Sequence, residues 1–191
     1  MKREGTALRL ISGDLDRQFH INGVTLRLAP EDGHLPRVAA LVVEQDTGLL
    51  LDEAVVLAQG DEGGGAINGG PLWEEYDYPQ GTVLRRRGVP PRVNLVIYDL
   101  GQTPSWNVPG IERALTNLFA MLPRLGVDSL AMPALAHRHG GLTVVNFLGL
   151  LCDYLAVHEL PWRGDLWLLL PRESLHAALA ALHTLCDIHR P

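Results

Sequence analysis

Disulfides do not hold this chain together. Its two cysteines, Cys152 and Cys186, sit inside helix-like patterns in 191 residues and make no disulfide framework. They read as buried thiols of a reducing compartment, which predicts a cytoplasmic protein. No apolar stretch follows Met1-Lys2-Arg3-Glu4, so no signal peptide is expected. The run 166–170 is apolar but far too short to span a bilayer, so no membrane association is expected. Positive charge is in deficit. The net charge of −6 argues against broad nucleic-acid binding, which depends on neutralising phosphates. Internal repeats are missing, and no Ser-His-Asp order or thiol pair marks a nucleophile.

What is present suits one ordinary domain over 1–191, because 47% hydrophobic residues can bury a core without staples. Alternation predicts strands at 6–11 and 24–29. Residues 31–36 read as a turn or a single helical turn. The continuous apolar run 38–43 predicts a strand covered on both faces, and 54–58 is a second short apolar run. Residues 60–70 hold six glycines and predict a loop, with a short helix at 71–76. Residues 81–87 and 94–100 read as a strand pair joined through Pro90-Pro91. Helical spacing of Ile111, Leu115, Leu118 and Leu122 predicts a helix over 109–125, with Pro109 in its first turn. A strand at 130–135, a helix at 142–157, a strand at 165–170 and a helix at 174–188 complete the order. Alternating strand and helix implies parallel strands with helices on both faces. The hairpin-like earlier strands make the sheet mixed. Ligands of such sheets bind beyond the carboxyl ends of the strands.

One stretch carries chemistry. Pro133-Ala134-Leu135 leads into Ala136-His137-Arg138-His139-Gly140-Gly141, so a strand opens into a glycine-ended loop ahead of a helix. Backbone N–H groups and the positive helix end then converge on one spot, an anion site. Arg138 can grip a phosphate with two parallel bonds, or it can stay solvated. His137 and His139 can donate to the same anion or merely close the loop. The tail residues His183, Cys186, Asp187 and His189 have metal-like chemistry, but an amphipathic terminal helix explains them and no metal is expected. Trp73 and Tyr76, one helical turn apart, can stack on a base or pack the core. Arg85-Arg86-Arg87 reads as a solvated strand end able to attract an anionic partner.

From about residue 24 to 188 the chain resembles the macro domain, the ADP-ribose-binding module. Glu31-Asp32-Gly33 resembles the family's acidic turn, and the strand after it is at matching spacing. Gly63-Gly64-Gly65-Ala66-Ile67-Asn68 resembles its glycine loop. Pro79-Gln80-Gly81-Thr82-Val83 resembles the step that follows. Pro133-Ala134-Leu135 and the residues to Gly141 resemble its second phosphate loop.

The resemblance implies a three-layer α/β/α macro-domain-like sandwich with a mixed central sheet. It implies that Asp32 accepts a hydrogen bond from an adenine amino group; the residues alone also allow a helix cap there. It implies that Gly63, Gly64, Gly65 and Ala66 meet a diphosphate and the distal ribose. Ala136, His137, Arg138, His139, Gly140 and Gly141 would form the second diphosphate loop. Where the family's strand ends in Asn-Ala-Ala-Asn, this chain has Val43-Glu44-Gln45-Asp46, and an insert follows at 49–62. Asp46 takes the position of the last Asn and is the candidate catalytic base. The expected function is binding of ADP-ribose or a related nucleotide diphosphate, free or on an ADP-ribosylated protein, with no cofactor. The alternatives are hydrolysis of an ADP-ribose adduct, and a degenerate macro fold serving another ligand or a protein partner.

Overall fold

The computed structural model describes residues 18–51 and 78–188, the last three by backbone alone. The expected strand at 6–11, the run at 54–58, the glycine loop, Trp73, Tyr76 and His189 lie outside the described residues.

Among the described residues, seven strands form one mixed sheet: β1 (Phe19–Ile21), β2 (Val24–Pro30), β3 (Ala40–Asp46), β4 (Val83–Arg86), β5 (Arg92–Tyr98), β6 (Ser129–Pro133) and β7 (Gly164–Leu170). Their spatial order is β1-β2-β7-β6-β3-β5-β4. The inner five run parallel, and β1 and β4 pair antiparallel at the two edges. Asn22 and Gly23 turn β1 into β2 with positive φ at both residues, the backbone that a two-residue hairpin requires. The Asn22 amide donates to the Leu155 and Ala156 carbonyls. It thereby occupies acceptors that a helix end leaves free.

Three helices follow β5, β6 and β7: α1 (Val108–Met121), α2 (Val144–Val157) and α3 (Leu175–Ile188). Each starts for a local reason where a cap is visible. The Asn107 side chain accepts from the Gly110 amide ahead of α1, and Thr143 accepts from Asn146 ahead of α2. The helix expected over 109–125 is α1 plus a 3-10 turn at Leu122–Leu125, closed by Gly126 at φ 64°. A 3-10 turn at Arg172–Ser174 precedes α3. Residues 31–36 hold turns and extended chain but no helix, so Asp32 caps nothing. None of the described helices is long and apolar enough to cross a membrane.

The core explains the order of the sheet. Val93 to Tyr98 are buried without a break, as expected of a strand covered on both faces. In β7, Leu166, Leu168 and Leu170 are buried while their neighbours are half-buried. Phe119 of α1 stacks with Tyr154 of α2 at 6.1 Å and with Trp162 at 5.6 Å. The Trp162 indole N–H finds the Val127 carbonyl at 2.6 Å, so this aromatic cluster buries no unpaired indole donor. Cys152 is buried and forms no disulfide.

Candidate functional site

Parallel strands put their carboxyl ends on one edge of the sheet, and the candidate residues gather there. Glu31 and Asp32 follow β2, Asp46 ends β3, Tyr98 ends β5, residues 134–142 follow β6, and Arg172 follows β7. The middle of that edge is open. β3 and β6 pair only at Ala40 with Leu130 and Leu41 with Ala131, then part toward their carboxyl ends. β3 stays paired to β5 as far as Asp46. A crevice between neighbouring parallel strands is where sheets of this type take ligands.

The loop after β6 roofs that crevice. Ala136 is fully buried and left-handed at φ 59°, a conformation that suits glycine and costs other residues about 1–2 kcal/mol. Its carbonyl accepts from the Leu142 amide at 3.0 Å, and the His137 ring nitrogen Nδ1 meets the Leu142 carbonyl at 2.8 Å. The Trp106 indole N–H donates to the Gly140 carbonyl at 2.6 Å. His139 lies edge-on to the Tyr98 ring at 5.8 Å. These ties hold the loop ahead of the α2 N-terminus. Among the described residues, the amides of Arg138, Gly140 and Gly141 have no protein acceptor. A hollow of about 330 Å³ opens beside the loop between His137, Leu142, Val145 and Ser174.

Two exposed ion pairs flank the loop. Arg138 meets Glu31 at 2.9 Å. Arg172 meets both oxygens of Asp32, with Nη2 and Nε each at 3.2 Å. Exposed pairs of this kind stabilise by less than about 1 kcal/mol, so either guanidinium can exchange its carboxylate for another anion. Each Asp32 oxygen keeps a second lone pair toward solvent.

Glu44 is the residue that sequence reasoning missed. It lies on the face of β3 that also buries Ala40 and Val42. Its Oε1 accepts from the Ala136 amide at 2.7 Å and from the Tyr98 hydroxyl at 3.3 Å. It thereby bridges the gap where β3 and β6 part. Burial pushes its carboxyl up to about 7, against the lowering pull of the Ala136 amide, the Tyr98 hydroxyl, Arg138 and His137. Burial, with Glu44 beside it, also raises the Tyr98 hydroxyl, which therefore remains a neutral donor. An inward acid at every-second-residue spacing in an apolar strand was the available signal.

Asp46 reaches the same edge but turns into its own loop. One oxygen accepts from the Gly48 amide at 2.7 Å; the other accepts from Leu50 at 2.9 Å and Leu51 at 3.0 Å. Three backbone donors give it a loop-tying role. We expect Asp46→Ala to lower stability by about 2 kcal/mol, because those amides lose a charged acceptor. The urea midpoint measures this, and an unchanged midpoint contradicts the role. Among the described residues no group of three metal-ligating side chains converges, and His183 packs edge-on against Phe19 at 5.3 Å.

No protein-family model and no curated protein matches the sequence. Solved structures do match by shape. A macrodomain mutant from Oceanobacillus iheyensis with ADPR aligns with a TM-score of 0.67 at 15% identity, covering 90% of this chain and 98% of that one. The same organism's macrodomain with ADP aligns at 0.59 and 16% identity, covering 90% and 95%. The macrodomain of Thermus aquaticus DarG aligns at 0.53 and 19% identity, covering 78% and 100%. The mixed seven-stranded sheet and its helices match the three-layer α/β/α architecture of these proteins. Identities this low carry the architecture alone, and the chain has the macrodomain fold.

Proposed function

We propose that the protein binds ADP-ribose, or a related nucleoside diphosphate, in the crevice between β3 and β6. The observation that carries the reading is the parting of those strands beneath a loop with free amides at Arg138, Gly140 and Gly141, just ahead of the α2 N-terminus. Such a loop concentrates N–H donors and a positive helix end on one anion. Structural neighbours solved with ADPR and with ADP support this chemistry.

In this reading the diphosphate lies over Ala136, His137, Arg138, His139, Gly140 and Gly141; Gly63, Gly64, Gly65 and Ala66, which the resemblance also assigns to it, lie outside the described residues. Arg138 leaves Glu31 for the diphosphate, since a bidentate grip on phosphate is stronger than an exposed ion pair. The adenine amino group donates to Asp32, whose orientation Arg172 fixes. Binding without turnover is the favoured form. A general base must reach a water, whereas Asp46 is buried and backbone amides engage both its oxygens.

Calorimetric titration with ADP-ribose tests the reading. Wild type should bind one equivalent. Arg138→Ala should weaken binding by about tenfold to a hundredfold, the value of a charge-assisted hydrogen bond. Asp32→Ala should weaken it by about tenfold, and adenine-free ribose 5-phosphate should not sense that change. Equal affinity for wild type and both variants would remove the assignment.

A further inference from the structure

A second charged surface lies at the opposite pole of the sheet. Arg85 and Arg86 end β4, and Arg87 follows. All three are exposed. None meets a carboxylate among the described residues, whereas Arg27, Arg138 and Arg172 do. Arg86 also stands in register with Arg92 across the β4–β5 pair. Three exposed guanidinium groups without a carboxylate among the described residues are a place to look for an anionic partner.

The shape fits a ligand. Arg85, Arg86, Arg87, Gly88 and Pro91 line an open cleft of about 450 Å³. Val89, at the turn, is fully exposed. β4 is the outermost strand at this side of the described sheet, so its outer edge offers backbone donors and acceptors. The turn joins the start of β5, while the crevice lies beyond its end. A seven-residue strand separates the two regions by roughly 20 Å.

We propose that this hairpin end docks an acidic, extended segment of a partner protein. The segment would add to the β4 edge through its backbone, in the manner of strand addition. Alternate side chains on one face of the added strand would then present carboxylates to Arg85 and, just beyond the strand end, Arg87, each able to grip a carboxylate with two parallel bonds. An apolar residue at the end of the segment would cover Val89. The same surface suits nucleic acid poorly. Among the described residues, no aromatic ring lines the cleft for base stacking. Val89 offers nothing to a phosphate backbone. Three cations on a chain of net charge −6 give little counterion release.

The test uses the full chain and a short fluorescein-labelled peptide that alternates Glu and Val, read by anisotropy. Wild type should bind it, and the affinity should fall as salt rises. The triple variant Arg85→Ser, Arg86→Ser, Arg87→Ser should lose at least about tenfold, as expected from removing several rim charges. Val89→Asp should lose several-fold without changing the arginines. ADP-ribose affinity should stay at the wild-type value in both, which separates this surface from the crevice. Equal peptide affinity in the triple variant overturns the proposal. So does tighter binding of a duplex oligonucleotide than of the peptide. Self-association of the peptide-free wild type, lost in the triple variant, overturns it in favour of a second copy of this chain.

Discussion

Replacing Gly140 by alanine should cost about 2–3 kcal/mol of stability and lower ADP-ribose affinity at least about a hundredfold. A Cβ at Gly140 would sit against Trp106, 2.6 Å from its Nε1 and 2.8 Å from the Ala136 carbonyl oxygen. Neither neighbour is free to retreat. The Trp106 ring is held by its bond to the Gly140 carbonyl, and the Ala136 oxygen is held by the Leu142 amide. The loop itself must therefore move, and with it the amides assigned to the diphosphate. Two companion variants isolate the cause. Gly141→Ala has open space but φ 71°, so it should lose only about 1 kcal/mol from left-handed strain. Gly149→Ala lies within α2 with nothing near its Cβ, and it should gain up to about 1 kcal/mol from helix propensity. Urea midpoints and calorimetry read all three. A stable Gly140→Ala protein with normal affinity would show that Trp106 does not set the loop.

Stability should fall as pH rises from about 5 to 8, and Glu44→Gln should remove much of that slope. The Glu44 carboxyl is raised from 4.5 to about 7 by burial, so the folded state holds this proton more tightly than the unfolded chain does. Its contribution is complete below about pH 4.5 and is lost as pH rises through about 7. The full change is about 3 kcal/mol. Gln keeps an oxygen for the Ala136 amide and the Tyr98 hydroxyl but does not titrate. The difference between wild type and Glu44→Gln therefore isolates this group. ADP-ribose affinity should follow the same course, because an ionised Glu44 under the loop opposes a second anion above it. Parallel pH curves for the two proteins would show that Glu44 carries no titrating proton in this window.

The order from β5 onward was legible because each strand and helix carries its own period. β6, α2 and β7 lie within two residues of where alternation and helical spacing put them. β3 was harder. An apolar-run criterion places it at 38–43, but the strand runs from Ala40 to Asp46. Its last three residues are polar and buried. Glu44 finds its partners 54 and 92 residues away, so no local window could show that they are satisfied. The β1–β2 turn is legible as Asn22-Gly23, a strong hairpin signal. The expected strand pair at 81–87 and 94–100 is the β4–β5 pair, with β5 beginning two residues earlier at Arg92.

The candidate site was legible in part. Resemblance pointed to Asp32 and to the loop from Ala136 to Gly141, and the sheet brings both to one edge. It did not reveal that Asp32 pairs with Arg172 and Arg138 with Glu31, contacts that span 140 and 107 residues. The reading of Asp32 as a helix cap fails because no helix follows it. The chain's departures from the family pattern acquire physical content here. Ala136 keeps a glycine-like backbone, and Glu44, where the family has alanine, supplies a carboxylate for its amide.

Amide hydrogen–deuterium exchange with and without saturating ADP-ribose tests the central claim most directly, because it reports where the ligand lies. Exchange should slow at 31–33 and 134–142, with Gly140 and Gly141 among the most protected. It should be unchanged at the 85–91 hairpin. Protection at the hairpin with none over 134–142, or no protection anywhere in a folded protein, would contradict a diphosphate site between β3 and β6.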